Sequence, residues 1–361
     1  MGRLALPFID PAVFDFWARH LNATWSWSQT LARVVERRVE AQGFVTLVLK
    51  PNRRWQGFRP GQHVNVGAEI DGRRITRSYS LSDAPRADGC IAITVKQVED
   101  GKLSTHLCQH ARVGDVLSLG DAFGDMTLPA QPTGRWVFLA AGSGITPFLS
   151  MTRALAEQGM PVDLTLVVWA RNRAELCAAD ELRALSQRHP RFQFKAVLTR
   201  EAALQPGESQ GRISAETLAA LLGPLADLGQ TEVRACGPGG FVATARTLLA
   251  PQAHGFQAEA FTPWTATPTE PNDAPAHTVQ VTLRRSGRTL TLDNQQALLP
   301  ALEAQGLSLP SGCRMGICRT CVCTKHEGTA QDMHTGELDT ETESALRLCV
   351  SRARTDITLD L

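Results

Sequence analysis

The sequence predicts a multidomain chain: an antiparallel β-barrel, then a doubly wound α/β domain, then a small α+β unit. Three observations predict it. The 361 residues exceed the size at which one hydrophobic core usually stops growing. Near residue 131 the apolar pattern changes from alternating stretches split by turn signals to short continuous runs, each followed by helical or loop sequence. The segment 262–276, TPWTATPTEPNDAPA, has four prolines and almost no large aliphatic residue, which reads as an extended linker.

Within the barrel (29–131), GFVTLVLK, QHVNVGAEI, RSYSLSD and CIAITVKQV alternate and are separated by Asp71-Gly72 and Asp88-Gly89, the dipeptides of tight hairpins. Within the α/β domain (132–261), RWVFLAA, DLTLVVWA, FQFKAVLT and TEVRACG read as buried strands. ITPFLSMTRALAEQG and PGGFVATARTLLA have helical apolar spacing. Beyond the linker, residues 277–361 offer a VQVTLRRSGRTLTL hairpin, a helical QALLPALEAQG and a closing DITLDL, a β-grasp-like arrangement. The first 28 residues stand apart. Phe14, Phe16, Trp17, Trp25 and Trp27 crowd what the spacing predicts to be an amphipathic helix, either packed on the barrel or forming a docking surface for a membrane-bound partner.

Composition narrows the function. Lys plus Arg (37) balances Asp plus Glu (36), so no broad basic field attracts nucleic acid. Asp10, Asp15 and Arg19 interrupt any leader-like apolar core, and Leu6 spoils a myristoylation signal. No 18-residue apolar run occurs. The expected location is cytoplasmic, where clustered cysteines bind metal or do redox chemistry more often than they form disulfides.

Four of the nine cysteines lie in SGCRMGICRTCVCTKHEG, 311–328. Cys313, Cys318 and Cys321 have CxxxxCxxC spacing, and Cys349 follows after 27 residues, the plant-type [2Fe-2S] pattern. Zinc fits less well, because a zinc ribbon needs two CxxC knuckles and only Cys318–Cys321 is present. Gly312 and Gly316 are the positions where backbone can approach the sulfurs. Cys323 is read as a bystander, and His326 and His334 as superfluous to a complete four-cysteine set. Over its whole length this C-terminal unit resembles a plant-type ferredoxin.

Four further motifs resemble, in order, those of the ferredoxin-NADP reductase superfamily. Arg77-Ser78-Tyr79-Ser80 is similar to the flavin motif RxYS. There the arginine holds phosphate, the tyrosine lies against the isoalloxazine and the serine sits near N5, roles suited to a fixed guanidinium and a flat ring. Gly101-Lys102-Leu103-Ser104 resembles the GxxS segment that faces the FAD pyrophosphate, with Ser104 also a candidate helix cap; its presence favours FAD over FMN. Gly142-Ser143-Gly144-Ile145-Thr146-Pro147 matches the nucleotide turn GSGITP, and Cys236-Gly237-Pro238-Gly239-Gly240-Phe241 resembles the CGPxxF motif beside the nicotinamide. The resemblance thus implies an antiparallel β-barrel flavin domain, a doubly wound α/β nucleotide domain and a β-grasp ferredoxin domain. It departs at the aromatic extension and at Glu259-Ala260-Phe261, which precede the linker; Phe261 either shields the flavin or anchors the linker.

The implied activity is a relay. NADPH or NADH gives two electrons as hydride, a [2Fe-2S] centre takes one at a time, and the flavin mediates. Tyr79, Ser80, Thr146 and Cys236 border the hydride path. Arg171, and Arg200 after Thr199, favour NADPH. The arrangement is similar to the reductase components of phenylacetyl-CoA epoxygenase and of membrane acyl desaturase and hydroxylase systems. A membrane-bound di-iron acyl desaturase is the first choice of acceptor, which would make the protein peripheral to the inner membrane face. A soluble multicomponent oxygenase is the second. A self-contained NAD(P)H oxidase or flavin reductase and a redox-sensing iron-sulfur interaction protein are the rivals. Six acids and no Lys or Arg occupy 327–343, either a solvated face or a steering patch for a basic surface.

Overall fold

The computed structural model describes residues 10–261, 277–312, 314–333 and 335–361; the linker 262–276, Cys313 and His334 lie outside the described residues. Two compact units divide after Phe261.

In the first unit the strands Arg73–Ser80, His63–Ile70, Val116–Phe123, Thr30–Ala41, Phe44–Pro51 and Ile91–Lys96 neighbour one another in that order, all antiparallel. A Leu81–Ile93 bridge, with the Ser82 N–H donating to the Ala92 carbonyl at 2.9 Å, joins the two edges and closes the barrel. Asp71 (φ 51°) and Gly72 (φ 69°) are both left-handed, as a two-residue hairpin turn matched to strand twist requires. That turn sets the register: His63 faces Ser80, and Val64 faces Tyr79.

The second sheet is wholly parallel, ordered Glu208–Gln210, Phe192–Leu198, Asp163–Ala170, Arg135–Ala141, Thr231–Gly237, Gly255–Ala260. Chain order reverses between Arg135–Ala141 and Thr231–Gly237, so the crevice at which such sheets bind ligands lies at Gly142 and Cys236-Gly237. Barrel and sheet pack as one unit because their cores merge: Phe44 and Met126 join Trp136, Phe138 and Phe148. Arg153 locks the seam, forking onto Glu181 at 2.8 and 2.6 Å while donating to the Ser82 carbonyl at 2.5 Å.

In the second unit a mixed sheet runs Arg288–Asp293, Thr278–Leu283, Ile357–Leu359, Val322–Glu327, Ser344–Arg347, with a three-stranded sheet beside it. The helix Leu298–Ala304 buries Leu298, Leu299, Ala301 and Leu302 against it. Lys325 is wholly buried; its ammonium donates to the carbonyls of Gly328 and Glu341 and lies 3.4 Å from Asp339. It pins the acidic segment, in which Glu343 pairs with His326 at 2.6 Å and Asp332 with Arg347 at 2.8 Å. Part of that segment's charge is therefore internally paired, while Glu337 and Glu341 face solvent.

The expected N-terminal helix forms over Pro11–Leu21. Its inner face carries Ala18 and Asp15, whose carboxylate accepts from Ser26, the Trp27 N–H and Ser28. Those hydrogen bonds to the charged form hold Asp15 below the usual carboxylate range, although burial opposes them as the largest single influence. Phe14 stacks on Trp27 at 4.0 Å. The expectation that the rings pack on the barrel fails for four of five: Phe16, Trp17, Trp25 and Trp27 remain 59%, 65%, 52% and 36% exposed. Two of these, one and two residues from Asp15, point away because Asp15 and Ala18 own the inner stripe.

Candidate functional site

The hairpin register and the switch point bring five buried polar side chains to one place: His63, Ser80, Thr146, Cys236 and Glu259. His63 Nε2 lies 3.2 Å from Glu259 Oε2, and the imidazole stacks on Phe123 and meets Phe261 edge-on at 5.9 Å. His63 Nδ1 and Ser80 Oγ are buried without a hydrogen-bond partner, and His63 Nε2 and Glu259 Oε2 face each other at 3.2 Å without hydrogen-bond alignment. Each such atom costs on the order of 1–3 kcal/mol unless something polar meets it. Their concentration where the barrel meets the switch point fits a bound group rich in donors and acceptors.

The separation of 3.2 Å would suit an ion pair, but burial pushes His63 down to about 4 and Glu259 up to about 8, which favours the neutral forms. Burial decides, because two charges taken out of water lose more than one contact returns; the proton then rests on Glu259. The raised Glu259 value gives stability that is full below its ordinary 4.5 and is lost as pH rises through about 8. The depressed His63 value gives stability lost as pH falls from 6.5 through about 4. The two oppose one another from 4.5 to 6.5, and above 6.5 Glu259 alone acts. Glu259→Gln is therefore expected to remove a loss of about 2 kcal/mol between pH 6.5 and 8, read from unfolding midpoints. An equal alkaline decline in both proteins would contradict this assignment.

Of the flavin-motif residues, Arg77 is exposed, with one guanidinium arm on the Thr76 carbonyl at 2.8 Å. Tyr79 is half-buried against the barrel core, and burial raises its phenol far above its ordinary value. Lys102 is exposed while Leu103 and Ser104 are buried. The cap expected at Ser104 is absent: the helix Lys102–Thr105 is capped at Gly101 without a side-chain bond and continues into π-helical His106–His110. Ser104 Oγ instead lies inside the first turn, donating to the Gly101 carbonyl and accepting from the Val98 N–H.

At the switch point Gly142 is left-handed (φ 55°), and Gly144 lies so close to the opposing strand that a Cβ would stand 2.1 Å from the Cys236 carbonyl oxygen. Thr146 Oγ1 donates to the Ser143 carbonyl at 2.9 Å, Pro238 is exposed, and the Phe261 N–H donates to the Gly237 carbonyl at 2.9 Å. Burial raises the Cys236 thiol well above its ordinary range, so it is no thiolate nucleophile. At the carboxyl edge of the sheet the Arg200 N–H donates to the Arg171 carbonyl at 2.7 Å, setting these arginines side by side. Arg171 Nε meets Glu175 at 2.7 Å, and Glu175 also holds Lys96 at 3.3 Å.

In the second unit Cys321 lies beside both Cys349 and Cys318; Cys313 lies outside the described residues. The Gly316 N–H donates to Cys349 Sγ at 3.2 Å. A hydrogen bond with Cys349 is the chief cause drawing Cys321 down to about 7, despite burial. Cys323 behaves oppositely, burial pushing it up to about 12, as a bystander would. Arg314, Gly316 and Arg319 are all left-handed (φ 58°, 78°, 57°), a backbone wound tightly around the sulfurs. Among the described residues no three metal-ligating side chains converge as a single-ion site needs. Soft thiolates with an amide donor on one sulfur are the donor set of an iron-sulfur cluster.

His63, Lys96 and Glu175 escaped the motif reading, and Glu259 entered it only as a segment end. Register held the signal for His63: counting outward from Asp71-Gly72 sets it opposite Ser80.

Three family models match: an oxidoreductase FAD-binding domain over 32–127, an oxidoreductase NAD-binding domain over 138–247 and a 2Fe-2S iron-sulfur cluster binding domain over 281–354. An NADPH oxidoreductase of Mycobacterium tuberculosis (strain ATCC 25618 / H37Rv) is 32% identical across 100% of this chain and 92% of its own length. The ferredoxin reductase component of a 3-ketosteroid-9-alpha-monooxygenase from Mycobacterium tuberculosis (strain CDC 1551 / Oshkosh) is 34% identical, covering 90% of this chain and 93% of its own. Phthalate dioxygenase reductase shares the fold, with a TM-score of 0.59 at 22% identity over 92% of this chain and 98% of that one. The chain belongs to the family of oxidoreductases that join FAD-binding, NAD-binding and ferredoxin-type 2Fe-2S domains in one polypeptide, with FAD, NAD(P)H and a [2Fe-2S] cluster as its cofactors.

Proposed function

We propose that this oxidoreductase is the reductase component of an oxygenase system, taking electrons from NADPH and delivering them singly to a separate oxygenase. The observation that carries this reading is near full-length similarity to a relative named as the reductase component of a monooxygenase, together with a matching domain for each of three cofactors. When bound, the flavin and cluster supply the change from paired to single electrons.

The chain's own part is placement. Arg77 offers a guanidinium to phosphate, Tyr79 a ring face, and Ser80 a buried hydroxyl awaiting a partner. Lys102, Leu103 and Ser104 form the turn beside the second phosphate. Gly142, Gly144 and Thr146 bring backbone close to the nicotinamide nucleotide, while Cys236, Gly237, Pro238 and Phe261 wall the hydride path and exclude water. Glu259, with its proton, faces His63 across that wall. Arg171 and Arg200 present cations for a 2′-phosphate, which favours NADPH over NADH. Cys313, Cys318, Cys321 and Cys349 hold the cluster.

A multicomponent oxygenase is the favoured acceptor, because one relative is named as the ferredoxin reductase component of a monooxygenase. One observation favours the second reading, a membrane-bound acyl desaturase: Phe16, Trp17, Leu21 and Trp25 form an exposed apolar face on and beside the N-terminal helix. Among the described residues no helix is long and apolar enough to cross a membrane. Reconstitution decides the acceptor. The purified holoprotein with NADPH is expected to reduce an oxygenase captured from the soluble fraction of the source cells. Electron transfer to the washed membrane fraction alone would move the assignment to the desaturase.

A further inference from the structure

We propose that Arg347 is a positioning residue for the iron-sulfur cluster, holding the Gly316 amide on the Cys349 sulfur and thereby raising the cluster's reduction potential. One arm of its guanidinium donates to the Gly316 carbonyl at 3.1 Å, and the other meets Asp332 at 2.8 Å. Gly316 is the residue whose N–H donates to Cys349 Sγ at 3.2 Å. Its left-handed φ of 78° and the 2.9 Å approach of Val350 to any Cβ there bar other residues from the turn. The carbonyl held by Arg347 and the amide on the sulfur lie on the two peptide planes that flank the Gly316 Cα, and the close approach of Val350 limits the hinge between them, so fixing the first restrains the second.

Asp332 is a firm anchor. It is 15% exposed, accepts the Thr335 N–H at 3.1 Å, and its own amide donates to the Glu337 carbonyl at 2.9 Å. The strut therefore ties the cluster loop to the acidic segment 332–343. Arg347 is 41% exposed, which screens the direct effect of its charge and leaves orientation as the larger influence. Both effects have the same sign. A donor or cation near the sulfurs favours the more negative, reduced cluster. Arg347 touches no reacting atom that the chain supplies, so its effect passes through Gly316.

This inference rests on the reading of Cys349 as a cluster ligand. The test is an anaerobic, EPR-monitored redox titration of the holoprotein and two variants, with the flavin potential as internal reference. Arg347→Gln is expected to move the cluster to a more negative potential and leave the flavin in place. Arg347→Lys is expected to move it the same way, because one ammonium cannot span both Gly316 and Asp332. An unmoved cluster potential in both variants would overturn the proposal, and so would full recovery with lysine, which would reduce the effect to charge. If Arg347→Gln loses its iron, Arg347→Lys alone decides by the same criterion. A wild-type protein lacking any [2Fe-2S] signal would instead defeat the ligand reading.

Discussion

Cys349→Ser is expected to lower cytochrome c reduction by NADPH about a hundredfold or more, while direct reduction of ferricyanide stays near the wild-type rate. Loss of even a supporting group at a metal site costs about 10–100-fold, and Cys349 is proposed as a direct ligand. Its Sγ accepts the Gly316 N–H and is hydrogen-bonded with Cys321. Serine offers a harder and shorter donor, poorly matched to iron that prefers thiolate. The substitution falls in the second compact unit, so the barrel and nucleotide sheet that serve hydride transfer keep their sequence. The paired assays separate the two halves of the relay. Equal loss with both acceptors would mean that the cluster also serves the flavin step, and retention of both would remove Cys349 from the ligand set.

The second large effect is expected at Gly144→Ala. The added methyl would stand 2.1 Å from the Cys236 carbonyl oxygen, 2.4 Å from its carbon and 2.7 Å from the Gly237 nitrogen. All three are backbone atoms, so no side chain can turn aside, and the strands Arg135–Ala141 and Thr231–Gly237 must part. Overpacking of this kind costs about 1–3 kcal/mol or more. The functional loss is larger, because a displacement near 1 Å at a reacting centre costs about a hundredfold. Thermal unfolding and NADPH–ferricyanide turnover read both. Gly229→Ala is the control, since a Cβ there meets nothing within 4 Å. Equal behaviour of the two alanine variants would show that the switch-point strands do not need their close approach.

The same contrast explains what the sequence made legible. Strands and hairpins could be read because their rules are local: Asp71-Gly72 fixes a turn, and the turn fixes eight cross-strand pairs. Runs such as RWVFLAA announce a sheet covered on both faces. The cysteine spacing carried the cluster, since thiolate ligands have few substitutes. The 12-residue strand Thr30–Ala41 was harder, because Glu36, Arg37 and Arg38 break its alternation while it pairs on both sides. The His63–Glu259 contact was out of reach. The two residues stand 196 positions apart and meet only because the barrel docks on the switch point, a tertiary event with no local signature. The aromatic helix misled for a related reason. Periodicity marks one apolar stripe for burial, but the stripe that buries is chosen by Asp15 and its three hydrogen-bonding neighbours, Ser26, Trp27 and Ser28.

A relay of NAD(P)H, flavin and cluster within one polypeptide underlies the proposed activity. The most direct measurement is anaerobic titration of the purified holoprotein with NADPH, following flavin absorbance and the EPR signal of the reduced cluster together. The expected result is loss of the oxidised flavin band accompanied by a [2Fe-2S] signal that grows towards one spin per chain. Complete bleaching of the flavin with no cluster signal, in protein shown by iron analysis to hold the cluster, would contradict it.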